Sequence, residues 1–181
     1  KGDIAGMNNY ISNNGLDAAE AANLLNSTNR NYNPYTYQNQ VDHYKQDYYQ
    51  LHFAHEFNRN WNANIALHYT KGKGYYEEFK KSQAFSNYGL SDLIIGTDTI
   101  MATDLVRRRW LDNDFYGTTF SLNYYNHKNL SITIGGAWNK YDGLHFGEII
   151  WAQHSSNSTL HQNYYNDTAN KTDFNIFAKV N

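Results

Sequence analysis

The sequence predicts an all-β fold: an antiparallel transmembrane β-barrel segment, about five strands of a larger barrel, with long extracellular loops and one short loop helix. Three observations predict it. Apolar and polar residues alternate strictly over several stretches, and tight turns alternate with long connections along the chain. The chain also has 17 Tyr, 9 Phe and 4 Trp but only 1 Pro. Aromatic side chains favour strands, and a period of two residues gives a strand one apolar face.

Hydropathy and charge narrow the class of protein. No run of roughly eighteen apolar residues exists, which excludes a transmembrane helix. The mean hydropathy of -0.80 keeps a soluble protein as the first alternative. Barrel strands escape this test because lipid-facing residues alternate with lumen-facing ones, so their average hydropathy is polar. The formal net charge of -2 argues against a nucleic-acid partner, and the absence of Cys decides little about the compartment.

Residues 1–40 are interpreted as a long extracellular loop, because they are rich in Asn, Gly and Ser and show no strand periodicity. Within them, residues 17–25 predict the one short helix. Asp17 is positioned to cap this helix, and Glu20 stands three residues later, which is the spacing of a capping box.

The first hairpin is predicted over residues 41–76, with a tight turn at 58–60. Alternate residues on both sides of this turn are apolar, so the two strands share one apolar face. The residues between them, which include His52 and His68, lie on the opposite face. The predicted cross-strand pairs are Phe57 with Trp61, Phe53 with Ile65, Leu51 with Leu67, and Tyr49 with Tyr69.

The second hairpin is predicted over residues 105–141, with a tight turn at 126–128. Its opposite face is small and polar throughout. A fifth strand is expected to start in residues 170–181, where apolar alternation resumes. The predicted cross-strand pairs of this hairpin are Tyr124 with Leu130, Phe120 with Ile134, and Tyr116 with Trp138.

The segments 77–104 and 142–169 are predicted to be extracellular loops. Short periplasmic turns and long extracellular loops are typical of outer-membrane barrels, whereas a soluble sandwich would need a functional reason for two long loops on one edge. The apolar band is about eight residues tall, or roughly 20–25 Å, and aromatic residues bound it at both ends, as membrane interfaces require. The side chains expected to face lipid are Tyr49, Leu51, Phe53, Phe57, Trp61, Ile65, Leu67, Tyr69, Tyr116, Phe120, Leu122, Tyr124, Leu130, Ile132, Ile134 and Trp138.

Three stretches, residues 44–53, 61–77 and 107–117, carry a family resemblance. They read YKQDYYQLHF, WNANIALHYTKGKGYYE and RRRWLDNDFYG, and they resemble barrel strands of TonB-dependent outer-membrane receptors of the Bacteroidetes type. The resemblance implies a barrel of about 22 strands around a plug, so the chain is expected to be a fragment of the barrel domain. It also implies an outer-membrane location, with lipid and lipopolysaccharide around the barrel and TonB as a partner through parts absent from this chain.

The function that the resemblance implies is TonB-driven uptake of a scarce solute: a ferric siderophore, haem, cobalamin or a glycan. Two alternatives stay open. One is a passive porin or structural barrel without a plug, and the other is a soluble, secreted sugar-binding β-domain with aromatic platforms. Enzyme activity is not expected, because the chain has no nucleophile elbow, no phosphate loop and no paired acids at a fixed spacing.

Six residues are candidate ligand contacts, and no cofactor is predicted. Two inward arginines above the band would bind an anionic solute through bidentate contacts, unless they are only solvated strand ends. Two histidines point to the lumen without a third ligand fixed by spacing, so polar lining is the better interpretation and no metal is predicted. Loop tyrosines would stack on a ligand or merely pack the loop. The six are Arg107, Arg109, His52, His68, Tyr35 and Tyr37.

Overall fold

The computed structural model describes residues 4–27 and 37–181, and it divides the chain into two compact units, residues 1–40 and 41–181. The first unit contains helix α1 (Ile4–Asn14) and helix α2 (Ala18–Asn26). The second contains the strands β1 (Asp42–Glu56), β2 (Trp61–Ala84), β3 (Leu93–Ile95), β4 (Asp98–Ile100), β5 (Ala102–Tyr125), β6 (Ser131–Ala152) and β7 (Gln162–Val180).

Helix α2 is the helix that the capping-box spacing predicts. Asp17 Oδ1 accepts the backbone N–H groups of Ala19 at 3.0 Å and of Glu20 at 2.9 Å, and Glu20 Oε2 accepts the N–H of Asp17 at 2.8 Å. The prediction of a single helix was wrong, because α1 precedes it. Helix α1 has apolar residues at helical spacing, and its Met7 is buried. The Asn residues between them have weak helix propensity, so the sequence did not predict this helix.

Five strands form one antiparallel sheet in the order β1-β2-β5-β6-β7, and β3 pairs with β4 in a separate small hairpin. Each strand of the large sheet therefore lies beside its neighbour in the sequence. The prediction of about five antiparallel strands is confirmed at this level. The sheet is open, because β1 and β7 are its edges and are not paired with each other.

The strands are longer than the predicted hairpins, and the predicted bounds of both long loops were wrong. Strand β2 continues through Ala84, and β6 continues through Ala152. Strand β7 already begins at Gln162 rather than near residue 170. The prediction ended each strand where apolar alternation stops, but charged and aromatic pairs extend the ladder there. The connections are only residues 85–101 and 153–161.

The register of the first hairpin is confirmed, with the predicted pairs Tyr49–Tyr69, Leu51–Leu67 and Phe53–Ile65. The second hairpin is displaced by two residues from its prediction, because Tyr124 pairs with Ile132 and Leu122 with Ile134.

The cause of this displacement is the turn at 126–130. Asn126 Oδ1 accepts the backbone N–H groups of Lys128, Asn129 and Leu130 at 2.9, 3.1 and 3.0 Å. This side chain substitutes for strand pairing and widens the turn. Leu130 consequently closes the turn instead of starting the strand, which is a correction of its predicted place. A displacement of two residues keeps every side chain on its predicted face.

The sheet has two different faces in the half near the short turns. The register puts the predicted apolar side chains of β1, β2, β5 and β6 together on one face, called here the apolar face. Strand β7 adds Phe174, Ile176 and Val180. The other side, called the polar face, carries pairs such as Asn64–Ser121 and Asn123–Thr133. The apolar face is uncovered by the described residues, since Leu51 and Phe174 are 65% and 64% exposed.

The buried apolar side chains of this unit lie at the opposite end of the sheet, called here the loop end. Phe85 and Tyr88, from a 3-10 helix at Phe85–Tyr88, pack with Leu90, Leu105 and Ile149. Residues of the β3–β4 hairpin extend this cluster. None of the helices in residues 4–27 and 37–181 is long and apolar enough to cross a membrane.

Candidate ligand-binding site

Three consecutive arginines at the loop end alternate between the two faces. Arg107, Arg108 and Arg109 pair with Glu78, Glu77 and Tyr76 of β2. The ladder between β2 and β5 has no irregularity from residue 61 to residue 80. Arg107 and Arg109 therefore share the polar face and Arg108 lies on the apolar face, in agreement with the predicted parity.

All three kinds of guanidinium nitrogen of Arg107 form hydrogen bonds within the protein. Its Nε and Nη2 donate to Glu78 Oε1 at 2.7 and 2.6 Å, and its Nη1 donates to Tyr88 Oη at 3.0 Å. Burial, the largest influence, lowers the pKa of Arg107, but the hydrogen bond to Glu78 and the electrostatic attraction of Tyr164, Tyr88 and Glu78 together raise it above its ordinary value. The predicted role of Arg107 as a ligand anchor is corrected, because its charge is already compensated and it ties the 85–101 loop to the sheet.

Arg108 is also compensated. Its Nε donates to Glu77 Oε2 at 2.8 Å, and Glu77 is a buried carboxylate. The guanidinium carbon of Arg108 lies 4.3 Å from the centroid of the Tyr75 ring, a cation–π contact. Removal of Arg108 would take a cationic partner from the buried Glu77 carboxylate, so Arg108 is not a neutral control for its neighbours.

Arg109 differs from both of its neighbours. Its Nε donates to Tyr165 Oη at 3.2 Å, and its guanidinium carbon lies 5.6 Å from the ring centroids of both Tyr76 and Tyr165. Among the described residues it has no carboxylate partner, and the residue is exposed. Arg109 is thus a guanidinium that two phenol rings hold in place while its terminal amino groups face solvent.

A β-bulge builds one wall of this site. Gly147 pairs with Tyr165 and Glu148 pairs with Asn163, so Tyr164 is the extra residue of β7. Bulges re-aim side chains at functional positions. Tyr164 stands beside Tyr165, with ring centroids 5.0 Å apart.

Gly147 makes room for these two rings. A Cβ at this position would lie 2.3 Å from the Tyr165 ring and 2.4 Å from the Tyr164 ring. The hydroxyl of Tyr164 is buried without a hydrogen-bond partner among the described residues, and burial raises the pKa of Tyr164 to about 12. Burial also raises the pKa of Tyr88, whose ring centroid lies 4.7 Å from that of Tyr164.

The two candidate histidines lie on the polar face away from Arg109. His68 pairs with Gln50 as predicted, and its Nε2 is 2.9 Å from Asn139 Oδ1. Gly117 lies between them, and a Cβ there would approach both side chains to within 3 Å. His52 Nε2 is 3.4 Å from Gln50 Oε1. These contacts make both residues part of the polar lining and join neither of them to the arginine site.

The candidate loop tyrosines fall in the other unit. Tyr37 accepts the backbone N–H of Gln40 through its carbonyl at 3.2 Å. Tyr35 lies outside the described residues. In residues 4–27 and 37–181 no group of three or more His, Asp or Glu side chains is arranged to hold a metal ion.

Sequence reasoning missed Tyr76 and Tyr165 as partners of Arg109. The signal for Tyr76 was present, because the confirmed register of the first hairpin fixes its parity on the polar face. The signal for Tyr165 was absent, because the bulge at Tyr164 changes the parity of β7 between Asn163 and Tyr165.

The polar face between the arginine site and the histidines is lined by hydroxyl and amide groups. Tyr141 Oη donates to Asn113 Oδ1 at 2.7 Å and lies 3.1 Å from His145 Nε2. Asn113 Nδ2 donates to Tyr44 Oη at 3.3 Å. The Tyr44 ring lies over Gly72 and Gly74, where a Cβ would collide with it.

The chain matches no family model, no curated protein and no solved structure. Function is therefore inferred from the chemistry of the two faces and of the loop end.

Proposed function

We propose that this chain is part of the barrel wall of a TonB-dependent outer-membrane receptor that takes up a scarce solute. In this proposal the apolar face contacts lipid, the polar face lines the path of the solute, and the loop end lies outside the cell. The protein acts by binding and gating and carries out no reaction on the solute.

One observation carries the proposal: the two faces of the sheet differ across five consecutive strands. The apolar face is exposed, and aromatic pairs bound it, with Tyr49 and Tyr69 rings 5.9 Å apart at one end and Trp61 and Tyr124 rings 4.9 Å apart at the other. Aromatic residues at both edges of an apolar band are characteristic of membrane barrels. A soluble sheet of this size would need a second layer to cover such a face.

A charged belt directly above the band supports the same interpretation. Lys71 Nζ lies 2.7 Å from Asp112 Oδ1 and 2.9 Å from Asp114 Oδ2, and Lys73 Nζ lies 2.8 Å from Asp112 Oδ2. These side chains share the parity of the apolar face. Charged groups are costly within the hydrocarbon and favourable at the headgroup level, so the belt marks the proposed upper limit of the lipid contact.

The test uses spin labels on neighbouring positions of β2. The chain has no Cys, so single cysteines in place of Ile65 and Asn64 would each carry one nitroxide in the complete receptor, with any cysteine elsewhere in it replaced by Ser, in lipid vesicles. We expect lipid-soluble oxygen to increase the spin relaxation rate of the label at 65. A water-soluble nickel chelate should increase the relaxation rate of the label at 64. The pair Leu67 and His68 provides a repeat of the alternation. Equal response of positions 64 and 65 to the nickel chelate would refute the membrane wall.

A second measurement separates a receptor from a passive porin. A plug closes a receptor barrel, so the complete protein in a planar bilayer is expected to show no steady ion conductance. Large, steady conductance would favour a porin over a receptor. Labels at 65 and 67 that contact lipid in the same protein would still support the membrane location.

A further inference from the structure

We propose that Arg109, Tyr76 and Tyr165 form a subsite for a carboxylate group on the solute. The inference deepens the proposed function and rests on it for the assignment of the polar face to the solute path. It narrows the solutes to those that carry a carboxylate beside a ring or another compact carbon skeleton.

Arg109 has hydrogen-bond donors available for a ligand. Arg107 and Arg108 each have a buried carboxylate partner at 2.6–2.8 Å, whereas Arg109 has only the phenol of Tyr165 on its Nε. A guanidinium carries five N–H donors in a planar fork that matches a carboxylate with two parallel hydrogen bonds. The two terminal amino groups of Arg109 are free for this purpose among the described residues.

The Arg109 side chain is held in place before a ligand binds. Rings on both sides restrict the guanidinium, and Gly147 and the adjacent bulge leave the space that the Tyr165 ring occupies. A guanidinium that is already restricted loses less conformational entropy on binding than a free surface arginine. A solvated strand end would need neither a bulge nor a glycine opposite the arginine.

The charges around Arg109 limit the charge of the ligand. In the adjacent row of the polar face, Arg107 and Glu78 compensate each other, which leaves Arg109 as one uncompensated cation. Farther along the polar face lie Asp42, in the row of Arg109 beyond Tyr76, and Asp167, in the row of His145. One positive charge near two carboxylates suits a monoanion better than a phosphate dianion. The exposed surface of Tyr76 offers apolar contact to the carbon skeleton beside the carboxylate.

The test measures binding of three probes to the complete receptor in detergent micelles by saturation-transfer NMR. The probes are glucuronate, its uncharged methyl ester and glucose 6-phosphate, which share a sugar ring and differ in the anion. The variants are Arg109→Gln, Arg109→Lys, and Arg59→Gln as the control. Arg59 is an exposed arginine in the turn at 58–60, so the control makes the same charge change at the other end of the sheet.

We expect saturable binding of glucuronate and a loss of about tenfold to hundredfold for the methyl ester and for Arg109→Gln, the size of one charge-assisted contact. Arg109→Lys should lose less, because the charge remains while the planar fork does not. Arg59→Gln should bind glucuronate unchanged. The proposal is overturned by unaltered binding in Arg109→Gln, by equal binding of acid and ester, by tighter binding of the phosphate, or by absence of glucuronate binding.

The spin labels at 64 and 65 keep the two proposals separable. Lipid contact at 65 without glucuronate binding would remove the carboxylate subsite and leave the receptor wall. Glucuronate binding that depends on Arg109, combined with water contact at 65, would remove the membrane wall and leave an anion site on a soluble sheet.

Discussion

The two ends of this sheet are built on different principles. In the apolar band each side chain meets only its cross-strand neighbours, and the described residues bury none of the large apolar ones. At the loop end the same strands carry a buried cluster, buried ion pairs and β-bulges. The described residues therefore leave the apolar band without a core of its own, while the loop end contains one.

The largest expected effect is at the loop end. Phe85→Ala removes a side chain that is 0% exposed, so it should cost about 3–5 kcal/mol of local stability. Hydrogen exchange should lose protection in residues 85–101 and 153–161 and keep it in the band strands. Ile94→Ala is the control, because Ile94 is in the same loop but 72% exposed. Equal loss of protection in the band would show that the two ends unfold together and would end the distinction between them.

The next effect is in the band. Leu67→Arg should cost about 2–4 kcal/mol of folding free energy in lipid vesicles, because it places a charge on the apolar face that we propose contacts lipid. Asn64→Arg, three residues earlier and on the polar face, should be nearly neutral. Denaturant titration of the full-length protein in lipid vesicles measures both. A cost for Asn64→Arg that matches or exceeds that for Leu67→Arg would reverse the assignment of the faces.

A smaller loss of stability is expected for a substitution on the polar face, at Gly117 of β5. In Gly117→Ala the new Cβ would lie 2.3 Å from the Trp138 carbonyl and 2.5 Å from Asn139 Oδ1. The strands must shift and the His68–Asn139 contact is lost, at a cost of about 1–3 kcal/mol. Thermal unfolding should show the loss, and Thr119→Ala, on the same face of β5, should show almost none. A stable Gly117→Ala variant would mean that β5 and β6 adjust freely at this row.

The smallest effect is a pH dependence at the loop end. Burial raises the pKa of Tyr164 from its ordinary value of 10.0 to about 12. The unfolded phenol ionises first as pH rises, so stability from the neutral phenol is complete below pH 10 and is lost as pH rises toward 12. The ultraviolet tyrosinate difference between the protein and Tyr164→Phe should have its midpoint near pH 12. A midpoint near pH 10 would show that Tyr164 is solvated and does not belong to the loop-end core.

The faces of the sheet were predictable because side-chain parity is a local property. A period of two residues assigns Leu51 and Leu67 to one face whatever the length of the strand. The same parity separated Arg108 from Arg107 and Arg109. The capping box of α2 was predictable for the same reason, since Asp17 and Glu20 act within one turn of chain.

The amino-acid sequence by itself determined the strand class, the sequence-adjacent order of the five strands and the two faces of the band. Only the tertiary structure decided where the strands end, the register of the second hairpin and which arginine is free. These depend on contacts between residues distant in sequence: Arg107 with Glu78 and Tyr88, and Arg109 with Tyr165 across a bulge. The alternation of apolar and polar residues indicates which face of the sheet a side chain lies on. The residues that this side chain contacts depend on the register of the neighbouring strands.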